Sequence, residues 1–152
     1  MSAPGGIDPR GPRFVAALTA VVLAVVLVTG WAWLLALQTL VFAVGALAGI
    51  TRTPYSWLFR RVVRPRLAPP EELEDPRPPR FAQGVGLVFA VVGLAGLLLG
   101  APVVGLVAVG CALAAAFLNA AFGLCLGCEL YTLLNRLRRP KAPLNKLPKT
   151  VD

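Results

Sequence analysis

The stretch FVAALTAVVLAVVLVTGWAWLLALQTLVFAVGALAGIT, residues 14–51, contains no Asp, Glu, Lys or Arg. A bilayer core takes roughly 20 apolar residues per helix, so this interval is about two spans long. A second charge-free interval runs over residues 81–128. Outside them the chain is polar and basic, yet only 14% of its 152 residues are charged and 57% are hydrophobic. The mean hydropathy is +0.75. A soluble domain carries charge on roughly a quarter of its residues. These observations predict an all-α membrane protein whose main partner is the lipid bilayer.

Turn residues divide each interval. In the first the break is Thr29-Gly30-Trp31-Ala32-Trp33, in the second Gly100-Ala101-Pro102. The expected architecture is four transmembrane helices, near 14–29, 32–51, 82–99 and 103–124, arranged as two hairpins. The hairpins repeat. DPRGPRF at 8–14 opens the first and DPRPPRF at 75–81 opens the second, 67 positions later. Each closes in a basic segment, YSWLFRRVVRP at 55–65 and LYTLLNRLRRP at 130–140. Two spans per unit bring both copies in from the same side, which predicts a parallel repeat about an axis along the membrane normal. The second copy is eight residues longer between its matching ends, and where it has Cys125 and Cys128 the first offers Thr53-Pro54.

Charge orients the hairpins. All fifteen Lys and Arg lie before the first span, in the 52–80 connection or after the last span, and the opposite turns are uncharged. The positive-inside rule puts both termini and the connection in the cytoplasm, in a multi-pass protein of the inner (plasma) membrane. Arg10 and Arg13 ahead of an apolar run resemble the start of a signal peptide. The run outlasts a signal, however, and no Ala-x-Ala site ends it, so an uncleaved span is expected. The net charge of +8 belongs to topology and to anionic lipid heads rather than to nucleic acid. The organisation is therefore a cytoplasmic tail at 1–13, a hairpin with a basic interfacial helix at 14–66 and a Pro-rich connection at 67–80. A second hairpin with its own basic helix follows at 81–140, then a cytoplasmic tail at 141–152. In the first basic helix Thr53 suits the cap and Pro54 the first turn. Its apolar stripe is Tyr55, Leu58, Phe59 and Val62. Leu130, Leu133, Leu134 and Leu137 form the stripe of the second, a pattern suited to the membrane interface. The acidic cluster Glu71, Glu72, Glu74 and Asp75 reads as a solvated loop, with pairing to nearby arginines as the alternative.

Within the spans no ionisable side chain of the kind used by ion-coupled carriers is present. Gln38 and Asn119 are the amides at depth, with helix–helix hydrogen bonding or a polar spot between the repeats as their roles. Gly45 with Gly49, and Gly96 with Gly100, have the four-residue spacing that lets helices approach closely, within one bundle or in a homo-oligomer.

The segment NAAFGLCLGCELY, residues 119–131, carries the chemistry. Cys125 and Cys128 fall at the cytoplasmic boundary, where a reducing compartment disfavours a permanent disulfide. Cys111 lies deeper and is expected to react far more slowly. If a helix restarts near Gly127, Cys125 sits at its N-terminus and its thiolate is favoured; if one helix runs through, Glu129 disfavours the thiolate. Small apolar packing is the competing role. A zinc site would need two protomers and four cysteines. No P-loop, haem-type His or dinucleotide fingerprint points to a cofactor.

The combination of IDPRGPRF, DPRPPRF and NAAFGLCLGCELY resembles a family of small bacterial integral membrane proteins, common in actinobacteria, that forms a domain of unknown function. The likeness extends from residue 7 to residue 137. It implies a link to sulfur or thiol metabolism, because similar proteins are encoded beside thioredoxin-like proteins and thiosulfate sulfurtransferases (rhodaneses). The family signature falls on Cys125 and Cys128, with Asn119, Glu129 and Tyr131 around it. Two functions are expected from this. In one, the cysteines take part in thiol–disulfide or sulfane-sulfur exchange with a thioredoxin-like or rhodanese-like partner. In the other, the helices form a transporter or scaffold for a sulfur species, with the cysteines binding, gating or packing.

Overall fold

The computed structural model describes residues 5–139; residues 1–4, Pro140 and the tail expected at 141–152 lie outside the described residues. Six α-helices follow one another: α1 Arg10–Thr29, α2 Ala32–Leu47, α3 Pro54–Leu58, α4 Arg77–Leu98, α5 Pro102–Phe122 and α6 Leu126–Arg138. Three of them, α1, α4 and α5, are long and apolar enough to cross a membrane. The fourth expected span is shorter. Its helix, α2, has 16 residues, about 24 Å at 1.5 Å per residue. It stops at Leu47 rather than 51 because Gly49, at φ 104°, turns the chain, a backbone open to glycine and strained for other residues. A 3₁₀ turn, Ile50–Arg52, follows.

Both long helices after a polar segment begin earlier than the charge pattern suggests, at Arg10 rather than 14 and at Arg77 rather than 82. Asp-Pro-Arg builds each start. Asp8 Oδ1 accepts the Arg10 backbone N–H at 3.0 Å, and its carboxylate holds the Arg10 guanidinium at 2.9 Å. Asp75 does the same for Arg77, at 2.9 and 2.6 Å. A carboxylate at a helix N-terminus also opposes the positive end of the helix dipole. The segments ahead of these helices meet in one isolated bridge, where Ile7 and Glu74 each donate an N–H to the other's carbonyl at 2.9 Å.

The next arginine of each motif reaches across the bundle. Arg80 donates to the carbonyls of Ala46 and Leu47, both at 2.7 Å, and Arg13 to that of Ala120 at 3.4 Å. The last carbonyls of a helix have no partner within it, so these guanidiniums satisfy the C-terminal ends of α2 and α5. At the opposite end of the hairpins the exposed Trp31 and Trp33 stack with ring centroids 5.6 Å apart.

α1 packs along α5, α5 along α4, and α4 along α2, while α6 lies against α4 and α3 against α1. The core is narrow: Leu23, Val26, Leu35, Phe42, Ala90, Val109 and Ala112. Large apolar side chains such as Val28 (87% exposed) and Leu99 (83%) face outward. So extensive an apolar surface fits a lipid environment, since soluble monomers rarely expose large contiguous apolar patches. Close approach of α4 and α5 depends on Gly96, where an added Cβ would lie 2.6 Å from the Gly105 nitrogen. Two of the four glycines expected to pack do something else. Gly49 and Gly100 have positive φ and open space around them, and serve as turns.

The first basic segment is not one regular helix. α3 passes into a π-turn, Phe59–Val63, and a 3₁₀ turn, Arg64–Arg66. Pro65 supplies no N–H and its ring crowds the preceding turn, which ends the regular ladder. Phe59, only 4% exposed, is held inside against the Phe14 ring.

Candidate functional site

α5 ends where Gly123 takes the left-handed conformation, φ 70°. Its N–H bonds the Asn119 carbonyl at 3.0 Å, and the Leu124 N–H bonds that of Leu118 at 3.3 Å. This closure satisfies the orphan carbonyls and redirects the chain. The helix restarts at once as α6, with Cys125 extended in the N-cap position. Its Sγ accepts the Cys128 backbone N–H at 3.3 Å, and its carbonyl accepts the Glu129 N–H at 3.0 Å. Of the two local structures open to this segment, the restarted helix is the one formed. Cys125 and Cys128 are joined as a disulfide across the first turn, with Cα atoms 5.2 Å apart. Gly123 makes the turn between the two helices. Gly127 has a different task, pressing α6 onto α4 at Ala82.

A cleft of about 430 Å³ opens beside Cys125, between α4, α5 and α6, with α1 and α2 behind it. Its walls combine alanines and glycines with Phe42, Phe89, Leu126 and Leu130, and its polar lining includes Asn119, Gln83 and Thr19. Gln83 is 9% exposed and its Oε1 has no hydrogen-bond partner; Thr19 is also buried. Cys111 lines the far part of the cleft and is exposed at the surface of α5. The expectation that it sits deep therefore holds only for its depth along the helix, since it is not packed inside the bundle.

The structure thus brings Asn119 and Cys125 onto one cleft. Glu129 is exposed in the first turn of α6, and the half-buried Tyr131 sets its ring 5.6 Å from that of Phe81, anchoring α6 to α4. Gln38 belongs elsewhere. It is 1% exposed on α2, where its Oε1 accepts the Tyr55 hydroxyl at 2.7 Å and its Nε2 has no partner. Burial also pushes the Tyr55 hydroxyl above its ordinary pKa.

Sequence reasoning missed Gln83 and Ser56. At the start of α3, Thr53 caps the helix by accepting the Ser56 N–H at 3.2 Å, and its hydroxyl donates to the Ser56 Oγ at 3.0 Å. Thr53-x-x-Ser56 thus caps α3 across the same spacing with which Cys125-x-x-Cys128 caps α6. The equal spacing was available as a signal. The aromatic anchor also recurs, since Phe14 and Phe59 lie 5.6 Å apart just as Phe81 and Tyr131 do.

The profile of DUF4395, a domain of unknown function, matches residues 7–136. The chain belongs to the DUF4395 family. No curated protein and no solved structure matches it. The DUF4395 match takes in both Asp-Pro-Arg starts, all four apolar helices and the cysteine pair. It assigns no activity to them, so the chemistry rests on the arrangement at the start of α6.

Proposed function

We propose that this DUF4395 protein is a multi-pass plasma-membrane protein in which Cys125 and Cys128 cycle between dithiol and disulfide. Its partner would be a soluble thioredoxin-like or rhodanese-like protein at the cytoplasmic face. One observation carries the reading: the two sulfurs are bonded across the first turn of a helix whose N-cap is Cys125. In the oxidising direction, Cys125 thiolate attacks a sulfur of the partner's disulfide and forms a mixed disulfide. Cys128 thiolate then attacks Cys125 Sγ, releasing the partner as a dithiol and leaving the disulfide seen here. The reverse reaction begins with the partner's thiolate.

Four spans and a parallel repeat complete the proposal. α2 ends level with the start of α4, because Arg80 caps its last carbonyls. Arg13 ties the end of α5 to the start of α1 in the same way. The repeat reading draws support from Ile7 and Glu74, which occupy equivalent positions in the two halves and exchange hydrogen bonds with each other. A two-fold axis passing between them would require that reciprocity. On this reading α3 and the leucine stripe of α6, with Leu133 and Leu137 exposed, rest on the cytoplasmic interface.

The test uses the full chain in membranes with Cys128→Ser. Cys125 should accumulate as a mixed disulfide with an added thioredoxin-like protein, resolved by a small thiol. If Cys125 and Cys128 of the reduced wild-type protein label with a water-soluble alkylating reagent no faster than Cys111, the exchange reading is overturned.

A further inference from the structure

A dithiol at a membrane boundary is within reach of two-electron partners in the lipid as well as in solution, and the cleft next to Cys125 has the chemistry for one. Its walls are mainly apolar, its volume falls within the roughly 300–1,000 Å³ usual for small-molecule sites, and no charged side chain lines it. Anionic sulfur species therefore find no counter-charge there. The polar groups present are the Asn119 and Gln83 amides and the Thr19 hydroxyl. Gln83 lines the cleft and is more than nine-tenths buried, with its unpaired Oε1 packed against Gly45 of α2. The cleft extends along α5 as far as Cys111, eleven residues before the helix end, or about 16 Å into the bilayer at 1.5 Å per residue.

We propose that this cleft binds a lipid-soluble quinone, a neutral apolar molecule with two carbonyl-type oxygens, which oxidises the Cys125–Cys128 dithiol. This rests on the exchange reading above and extends it. The reaction balances. Two S–H bonds break and one S–S bond forms, while two electrons and two protons pass to the quinone and yield its hydroquinone. Cys125 lines the cleft and is the sulfur that faces the oxidant. Asn119 and Gln83 line the cleft and supply amide groups to hold the ring oxygens.

The experiment takes the reduced full chain in lipid nanodiscs and adds either 2,3-dimethyl-1,4-naphthoquinone, whose substituted ring blocks thiol addition, or glutathione disulfide, a soluble oxidant. Disulfide formation is followed by alkylation and mass spectrometry, and hydroquinone by absorbance. The naphthoquinone should give one hydroquinone per disulfide. Ala115→Phe, which fills the cleft, and Gln83→Leu, which removes the amide, should each lower the ratio of quinone-driven to glutathione-driven oxidation by about tenfold or more, the effect of roughly 1.4 kcal/mol. Oxidation by glutathione disulfide but not by the naphthoquinone, or a ratio unchanged in Ala115→Phe, overturns the quinone site and leaves thiol exchange standing; a ratio unchanged in Gln83→Leu alone overturns the role of that amide. Failure to react with either oxidant overturns both.

Discussion

A Cβ added at Gly127 would lie 2.6 Å from both Cα and Cβ of Ala82. No rotamer relieves that contact, because one of the two atoms is backbone. Gly127 is thus the residue that lets the first turn of α6 sit flat on α4 and fixes the cysteine pair against the cleft. Gly127→Val should lift α6 away at a cost of about 1–3 kcal/mol, the usual range for overpacking. The measurement is amide hydrogen exchange across Leu126–Arg138, which should accelerate while α1 and α5 exchange as before. Unchanged protection in α6 would mean that the helix docks by other contacts. Gly123 behaves differently under substitution, since its positive φ and not a neighbour limits it.

At the scale of elements, the two Asp-Pro-Arg starts make a pH prediction. The Arg10 hydrogen bond holds the Asp8 carboxyl below its ordinary pKa, and Arg77 does so for Asp75. A carboxylate whose pKa is lower folded than unfolded stabilises the fold above the unfolded value, about 3.9. That contribution fades as pH falls through the lower folded value. The thermal midpoint in detergent should therefore drop below about pH 4. Asp8→Asn should flatten the drop more than Asp75→Asn, because the Asp8 side chain is 6% exposed and that of Asp75 39%. The opposite order would contradict the assignment. These starts also show what the sequence made legible and what it hid. Gly30, and Gly100 with Pro102, announced the hairpin turns because positive φ and a first-turn proline have residue signatures. The starts at Arg10 and Arg77 were hidden because a count of charges treats every arginine as loop. The end of α2 was hidden because Ala48-Gly49-Ile50 remains apolar through the turn. The pattern Cys-x-x-Cys was plain, but whether a helix restarts there depends on the closure at Gly123, which spacing alone does not decide. The cleft was illegible: side chains from five helices form it, and no single segment marks it.

For the whole molecule, three helices meet the length of a membrane span and α2 falls short. Local thinning of the bilayer absorbs a mismatch of a few ångströms at modest cost. If α2 crosses, reporters fused at the N-terminus and inserted at Ala68 should read the same side of the membrane, the cytoplasmic one. A reporter at Ala68 that reads outside while the N-terminus reads inside would leave α2 uncrossed and remove the parallel repeat.

The arginine caps set an order of events during synthesis. Arg80 follows Ala46 by 34 residues, whereas Ala120 follows Arg13 by 107. At about 5–20 residues per second, the second interval is on the order of 5–20 s. For that time α1 exists without its partner helix α5. The nascent chain is then a half-assembled intermediate whose small-residue faces are open to other chains, and closure waits for the last helix pair to leave the ribosome.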